Sequence, residues 1–315
     1  MRMTDGRPSL VSVVMATNRI SEYLVEALES MAAQHRQPVE LIVVVNGMPD
    51  AEPVTTAVRT IVPTALVLTL PDANVSTARN LGIARAKGEY VAFLDDDDRW
   101  HRDRLALQAA ALDAAPEAVA SYCGMRVIDE AGSVLVEADQ AQVDRQGIAR
   151  RATGIIGPNL LVRRAPLDQV GGFHPAFTQA EDLDLVLRLA QLGEFIFVEG
   201  ALVDYRAHAE SVTRRHRELV RSIDQVLLVH RAAAAERGDR ELAGALSESL
   251  RKNRRFAWWR ALRSARADLR RGKPGGAARE IAWALRVAPT GLVDGMFRHT
   301  RLGGSAVRSG EAGGR

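Results

Sequence analysis

The sequence has a single cysteine in 315 residues, Cys123, which rules out an internal disulfide and any cysteine-rich metal site. One such thiol reads as small apolar filler, and a reducing compartment suits it. Long apolar runs are missing too. Residues 1–9 are polar and include Pro8, the apolar run at 10–16 has only a strand's length, and neither a secretory signal nor a membrane span is legible. No glycine-rich dinucleotide fingerprint follows that first apolar run and no phosphate-loop signature occurs, which argues against a dehydrogenase or a nucleoside triphosphatase.

Of the residues present, 47% are hydrophobic and 26% charged, the balance of a folded globular chain. The length buries a sizeable core and suits one large domain with an appendage or two modest domains. The formal net charge of +3 conceals a division near Thr213. Residues 1–213 carry 19 Lys and Arg against 29 Asp and Glu, a balance of −10; the remainder carries 23 against 10, a balance of +13. Two parts with opposite electrostatic jobs are implied.

The most informative stretch is 89–100, Glu-Tyr-Val-Ala-Phe-Leu-Asp-Asp-Asp-Asp-Arg-Trp. Residues 90–94 have the length and the aromatic and β-branched content of a buried strand, and they end at Asp95, Asp96, Asp97 and Asp98. Adjacent carboxylates repel one another, so this cluster is costly unless a cation neutralises it. The carboxyl end of such a strand is also where open α/β sheets bind ligands. Mg²⁺ or Mn²⁺ bridging carboxylates to substrate phosphates fits that chemistry. The alternative is that Asp97 or Asp98 caps a helix beginning near Arg99, a role that needs one carboxylate rather than four. A calcium hand fails, because a loop counted from Asp95 puts Trp100 where glycine is required and Ala106 where the bidentate glutamate belongs.

Around this stretch the chain alternates strand and helix. Residues 10–16 predict a strand, followed by Thr17-Asn18-Arg19 and an amphipathic helix over 21–34 with Ser21 as its cap. A strand over 40–45 ends at Asn46-Gly47, a weaker helix covers 51–61, a strand covers 65–70, and Asn74 opens a helix that ends near Gly88 before the strand at 89–94. Short connections predict a doubly wound, mostly parallel α/β sheet, in which polar residues after the first, second and fourth strands meet on one edge. Beyond Val119 a smaller mixed β layer is expected: a hairpin over 126–136 turning at 130–133, a strand over 155–163, and last strands at 195–198 and 202–206. Gly171-Gly172-Phe173 leads to Glu181-Asp182-Leu183-Asp184, which opens a helix to about Leu192. The helix dipole alone favours acids in a first turn, yet three within four residues also supply a candidate general base. His208 leaves the last strand where the acidic part ends.

Taken together, Val-Ser-Val-Val-Met-Ala-Thr-Asn-Arg, Ala78-Arg79-Asn80, Phe-Leu-Asp-Asp-Asp-Asp, Gly-Gly-Phe, Glu-Asp-Leu-Asp-Leu and Tyr-Arg-Ala-His resemble an inverting family 2 glycosyltransferase of the GT-A fold, over residues 10–213. The resemblance implies a nucleoside-diphosphate-sugar donor, a UDP-sugar before others, and Mn²⁺ or Mg²⁺ as cofactor. It implies Asp97 as the metal ligand with His208 completing the shell, and Asp95 on the ribose or a metal-bound water with Asp96 beside it. Thr17, Asn18, Arg19, Asn46, Asn74 and Arg79 would receive the nucleotide-sugar. Asp182, of the pair with Glu181, would take the proton from the acceptor hydroxyl. Two positions depart from the family: Asn46 stands where many members have Asp, and Val75 follows Asn74 where many have Gly.

Residues 214–302 predict a basic helical extension, with helices over 218–236, 240–270 and 277–287 and a break at Gly272-Lys273-Pro274-Gly275-Gly276; residues 303–315 predict a disordered tail. Phe256, Trp258, Trp259, Leu262 and Leu269 interleave with arginines. Such helices suit an anionic membrane surface near a lipid-linked acceptor, at the inner face of the cell membrane. Packing on the acidic domain competes with that reading, and nucleic acid is the less favoured rival. The expected setting is a cytoplasmic enzyme of cell-envelope polysaccharide or glycolipid synthesis. Two other functions stay open at this point. One is a sugar nucleotidyltransferase, which usually needs a basic glycine-rich loop where Ala16-Thr17-Asn18-Arg19 stands. The other is a non-catalytic nucleotide-sugar-binding or scaffold protein acting through the basic tail.

Overall fold

The apolar runs at 11–17 and 39–46 are buried on both faces, as central parallel strands between helical layers must be. The computed structural model describes residues 3–4, 7–208 and 216–289, and the chain divides into two compact units, 1–211 and 212–315. The expected boundary at Thr213 and the tail at 303–315 lie outside the described residues.

In the first unit a short ribbon of β1 (Met3–Thr4) and β2 (Arg7–Pro8) precedes the main sheet. There β3 (Val11–Thr17), β4 (Val39–Asn46), β5 (Leu66–Leu70) and β6 (Tyr90–Phe93) run parallel in the order β5-β4-β3-β6. The helices α1 (Glu22–Ala32), α2 (Glu52–Ile61) and α3 (Val75–Arg85) make the crossovers. Ser21 accepts from the Leu24 amide to cap α1, and Asn74 accepts from Thr77 to cap α3. The order reverses between β3 and β6, so a crevice opens beyond their carboxyl ends, at Thr17 and at the aspartates.

The remaining strands make the smaller mixed part expected from sequence, as a continuation of the same sheet. β10 (Leu160–Arg163) is antiparallel to β6 and to β8 (Ala120–Ile128), and β8 is parallel to β11 (Phe195–Arg206). β9 (Val134–Val136) closes the hairpin with β8, and β11 also pairs antiparallel with β7 (Arg99–Trp100). Four helices complete the unit: α4 (Arg104–Ala114), α5 (Arg145–Ala149), α6 (Arg164–Gln169) and α7 (Glu181–Leu189).

Three expectations need correction here. Residues 99–100 do not open a helix, because the Trp100 and His101 amides are taken by the Ser30 hydroxyl and the Leu202 carbonyl; α4 starts only at Arg104, which leaves Asp97 and Asp98 no helix to cap. The strand expected over 155–163 begins at Leu160, because Pro158 cannot donate to a ladder and residues Gly157–Asn159 form a 3₁₀ turn. The last two expected strands are one, with the register shifting around Gly200 at φ 112°.

The second unit contains α8 (His216–Glu236), α9 (Arg240–Arg270) and α10 (Pro274–Val287). The expected break is shorter than its five residues, since Pro274 already occupies the first helical turn, where a missing N–H costs nothing. Ala257 and Ala261 of α9 allow close approach to Val220 of α8 and to Trp283 and Ala284 of α10, and the buried Trp258 indole donates to the Ala288 carbonyl at 2.6 Å. No described helix is long and apolar enough to cross a membrane. Trp258→Ala should destabilise this unit by about 3–5 kcal/mol through the cavity and the orphaned carbonyl. Urea melts measure it, and a loss under about 1 kcal/mol would contradict the packing described.

Candidate active site

Where β6 runs out, Asp95 to Asp98 form a turn, closed by the Asp98 amide donating to the Asp95 carbonyl at 3.3 Å, and their burial alternates. Asp96 and Asp98 turn inward and are buried, while the side chains of Asp95 and Asp97 keep 30% and 21% of their surface. The Thr17 hydroxyl, at the end of the neighbouring β3, donates to Asp96 at 2.5 Å. Arg19 follows two residues later, and its Nη2 bonds Asp96 and Asp97, each at 2.9 Å. His208 Nε2 lies 2.8 Å from that same Asp97 oxygen. On the other side Arg79, buried in α3, donates to Asp95 at 2.5 Å and to Glu181 at 2.7 Å. The carboxylates are therefore neutralised in part by the chain's own cations, a solution the sequence did not reveal.

Burial pushes the Asp96 carboxyl up to about 6 despite the bonds from Thr17 and Arg19. Burial, with Asp95 and Asp97 beside it, raises Asp98 well above the carboxylate range, and its Oδ1 accepts from the Arg206 amide at 2.9 Å. With the inward acids pushed toward their protonated form and the outward pair facing cations, the strand end escapes part of the repulsion among four.

The acid pair on α7 is aimed by its approach loop. Gly171 and Gly172 take φ of 74° and 68°, a reversal that other residues adopt only under strain. Three side chains of α3 then hold the loop: Asn80 exchanges two hydrogen bonds with the Phe173 backbone, Asn74 donates to the Pro175 carbonyl, and Ser76 donates to that of Phe177. Ala180, the residue before the pair, sits at φ 58°, a strained position for a residue with a Cβ. Of the three acids, Asp184 is buried against Arg188 at 2.6 Å, and Arg188 also donates to the Val170 carbonyl. Glu181 is held by Arg79. Asp182 accepts from the Leu183 amide at 2.7 Å, and among the described residues no Lys or Arg pairs with it. Burial and the adjacent Glu181 push it up to about 7.

The other expected residues occupy the same edge with different surroundings. Asn46 donates to the Ala73 carbonyl at 2.7 Å, and its Oδ1 is buried without a hydrogen-bond partner among the described residues. Asn18 is exposed beside Thr17, and Asn74 has both ends of its amide engaged with the scaffold. Sequence reasoning missed Arg206. Buried in β11, it donates to the Asp97 carbonyl at 3.0 Å, to the Glu130 carbonyl at 2.9 Å and to Glu26 of α1, and it lies over the Tyr23 ring, itself 5.6 Å from His208. Its signal was the Tyr-Arg-Ala-His run, where only the histidine attracted a role.

In chemical type the set suits a hard divalent ion: two outward carboxylates and an imidazole, with Asp97 and His208 already touching. Among the described residues, no group of three or more His, Cys, Asp or Glu is gathered tightly enough to hold a metal by itself. The arrangement places Asp97 and His208 on the same edge as a half-buried carboxyl, Asp182, of near-neutral pKa.

A sequence profile described as Glycosyl transferase family 2 matches residues 12–171. The Amylovoran biosynthesis glycosyltransferase AmsB of Erwinia amylovora is 25% identical over 207 residues, covering 62% of this chain and 68% of AmsB. The Succinoglycan biosynthesis protein ExoO of Rhizobium meliloti is 35% identical over 127 residues, 37% of this chain and 33% of ExoO. Among solved structures, S. aureus TarS 1-349 in complex with UDP-GlcNAc superposes with a TM-score of 0.63 at 16% identity, covering 90% of this chain and 92% of that one. Mannosyltransferase PcManGT from Pyrobaculum calidifontis, in complex with GDP-Man and Mn²⁺, gives 0.59 at 18% identity, covering 92% and 88%. At such identities these two structures speak to the fold, which is GT-A.

The raised Asp182 has a consequence for stability. Folding lifts its pKa above the unfolded value, so the folded chain retains a proton that the unfolded chain releases, and stability falls as pH rises from about 4 to about 7. Asp182→Asn should lose less stability than wild type between about pH 5 and about pH 7.5 in thermal melts without metal, and parallel curves would contradict the burial assigned to this carboxyl.

Proposed function

The chain belongs to glycosyl transferase family 2 and is a glycosyltransferase, and from that premise we propose that it moves a sugar from a nucleoside-diphosphate donor to an acceptor hydroxyl with inversion at the anomeric carbon. One observation carries the proposal: Thr17, Arg19, Arg79, the outward aspartates, His208 and the Glu181–Asp182 pair meet on a single edge of the sheet.

Arg19 and Arg79 supply positive charge where a diphosphate would lie, and guanidinium groups suit phosphate oxygens. The unpartnered Oδ1 of Asn46, fixed by the bond its amide makes to Ala73, is a ready acceptor for an N–H of the base, such as N3 of uracil. Asp97 and His208, with Asp95 beside them, would hold Mn²⁺ or Mg²⁺, whose charge would offset that building on the departing nucleoside diphosphate. Asp182 takes the proton of the acceptor hydroxyl as its oxygen attacks the anomeric carbon opposite the leaving group. A carboxyl lifted toward neutrality accepts that proton better than an ordinary one. Glu181, anchored to Arg79, serves to keep its neighbour's pKa high. Relatives named for amylovoran and succinoglycan biosynthesis support polysaccharide assembly as the setting, with a hydroxyl of the growing glycan or its lipid carrier as acceptor.

Calorimetric titration of UDP with and without Mn²⁺ tests the donor site. Mn²⁺ should tighten binding at least about tenfold in wild type and leave Asp97→Ala unchanged, whereas equal affinities throughout would remove the metal from the account. Asp182→Asn should bind UDP as wild type does yet transfer sugar about 1,000-fold more slowly. Turnover near the wild-type rate would show that the base lies elsewhere.

A further inference from the structure

The long helix α9 has one face committed to the three-helix core and another that the described residues of its own unit leave exposed. Asn253, Ala257, Trp258, Ala261 and Ala265 are buried at spacings of one, three and four residues. Trp259, adjacent to the buried Trp258, points the other way and is 65% exposed, and Phe256, Leu262 and Leu269 are exposed beside it. At about 100° per residue, Arg255, Arg263, Arg266 and Arg270 fall in that same stripe, which runs for about 22 Å. Residues 251–273 contain ten Lys and Arg and one acid, Asp268, and the helical period puts Asp268 on the side opposite Trp259. Guanidinium groups already lie over the two exposed rings, Arg263 at 4.9 Å from Trp259 and Arg260 at 5.9 Å from Phe256.

We propose that this stripe seats α9 in the plane of an anionic lipid surface, with Trp259, Phe256 and the leucines at the headgroup boundary and the arginines on lipid phosphates. A core does not explain the pattern, since four large apolar side chains remain outside it. A second copy of the chain is a poor occupant, because two stripes without an acid would repel. Nucleic acid would use the arginines and the aromatic rings, but Leu262 and Leu269 add nothing to phosphate contact or base stacking. An apolar line flanked by cations along a convex helix matches an interfacial amphipathic helix.

The proposal rests on the second unit alone and is read without donor or acceptor, so its failure would leave the transferase reading intact. Flotation of the full chain with vesicles of phosphatidylcholine, or of phosphatidylcholine with phosphatidylglycerol, tests it. The chain should float with the anionic vesicles only, less at high salt, and its tryptophan emission should shift to the blue. Arg266→Ala with Arg270→Ala should weaken partitioning about 25-fold, as each cation near an anionic surface contributes about fivefold. Trp259→Ser should weaken binding and abolish the emission shift, and circular dichroism melts should match wild type because these side chains are exposed. Equal binding to both vesicle types, wild-type partitioning of either variant, or tighter binding to duplex DNA than to anionic vesicles at the same salt would each overturn the proposal.

Discussion

Consecutive carboxylates cannot all be ionised at the end of a buried strand, and the rest of the first unit is arranged around that restriction. β6 delivers the aspartates, the turn that follows it sorts them into an inward and an outward pair, and each pair is relieved differently. The inward pair, whose burial raises its affinity for protons, accepts from Thr17 and the Arg206 amide. The outward pair faces Arg19, Arg79 and His208. A site neutralised by groups on side chains can exchange them for a ligand's charges, whereas a strand end neutralised by burial alone could not.

Two elements connect this restriction to the acid pair on α7. α3 reaches in both directions: Arg79 joins Asp95 to Glu181, while Asn74, Ser76 and Asn80 hold the loop that aims α7. β11 provides the other connection, since Arg206 fixes the backbone of the acidic turn and His208, two residues on, meets the outward side of Asp97. The proposed donor locus and the proposed base therefore share their supports, and a substitution in α3 should disturb both together.

Much of this was legible before the structure. Period and capping located the strands at 11–17, 39–46 and 66–70, and the caps Ser21 and Asn74, because burial on both faces and side-chain capping are local properties of a sequence. Whatever depended on partners distant in the chain was not legible. Arg99 and Trp100 look like the start of a helix until Val203 and Asp204 are known to lie beside them. A row of aspartates invites a metal, but nothing local reports that Arg19, Arg79 and Arg206 arrive from three different elements to meet it. Among Glu181, Asp182 and Asp184 the sequence offers no ranking; the ion pairs to Arg79 and Arg188 provide one.

The central claim is that Arg19 and His208 keep the outward carboxylate of Asp97 ready for a divalent ion accompanied by a diphosphate. Anomalous diffraction from a crystal grown with UDP and Mn²⁺ tests it most directly. The account predicts a manganese signal on Asp97 and His208, with Arg19 withdrawn from Asp97. UDP bound in the crevice with Arg19 still on Asp97 and no manganese beside it would contradict the account.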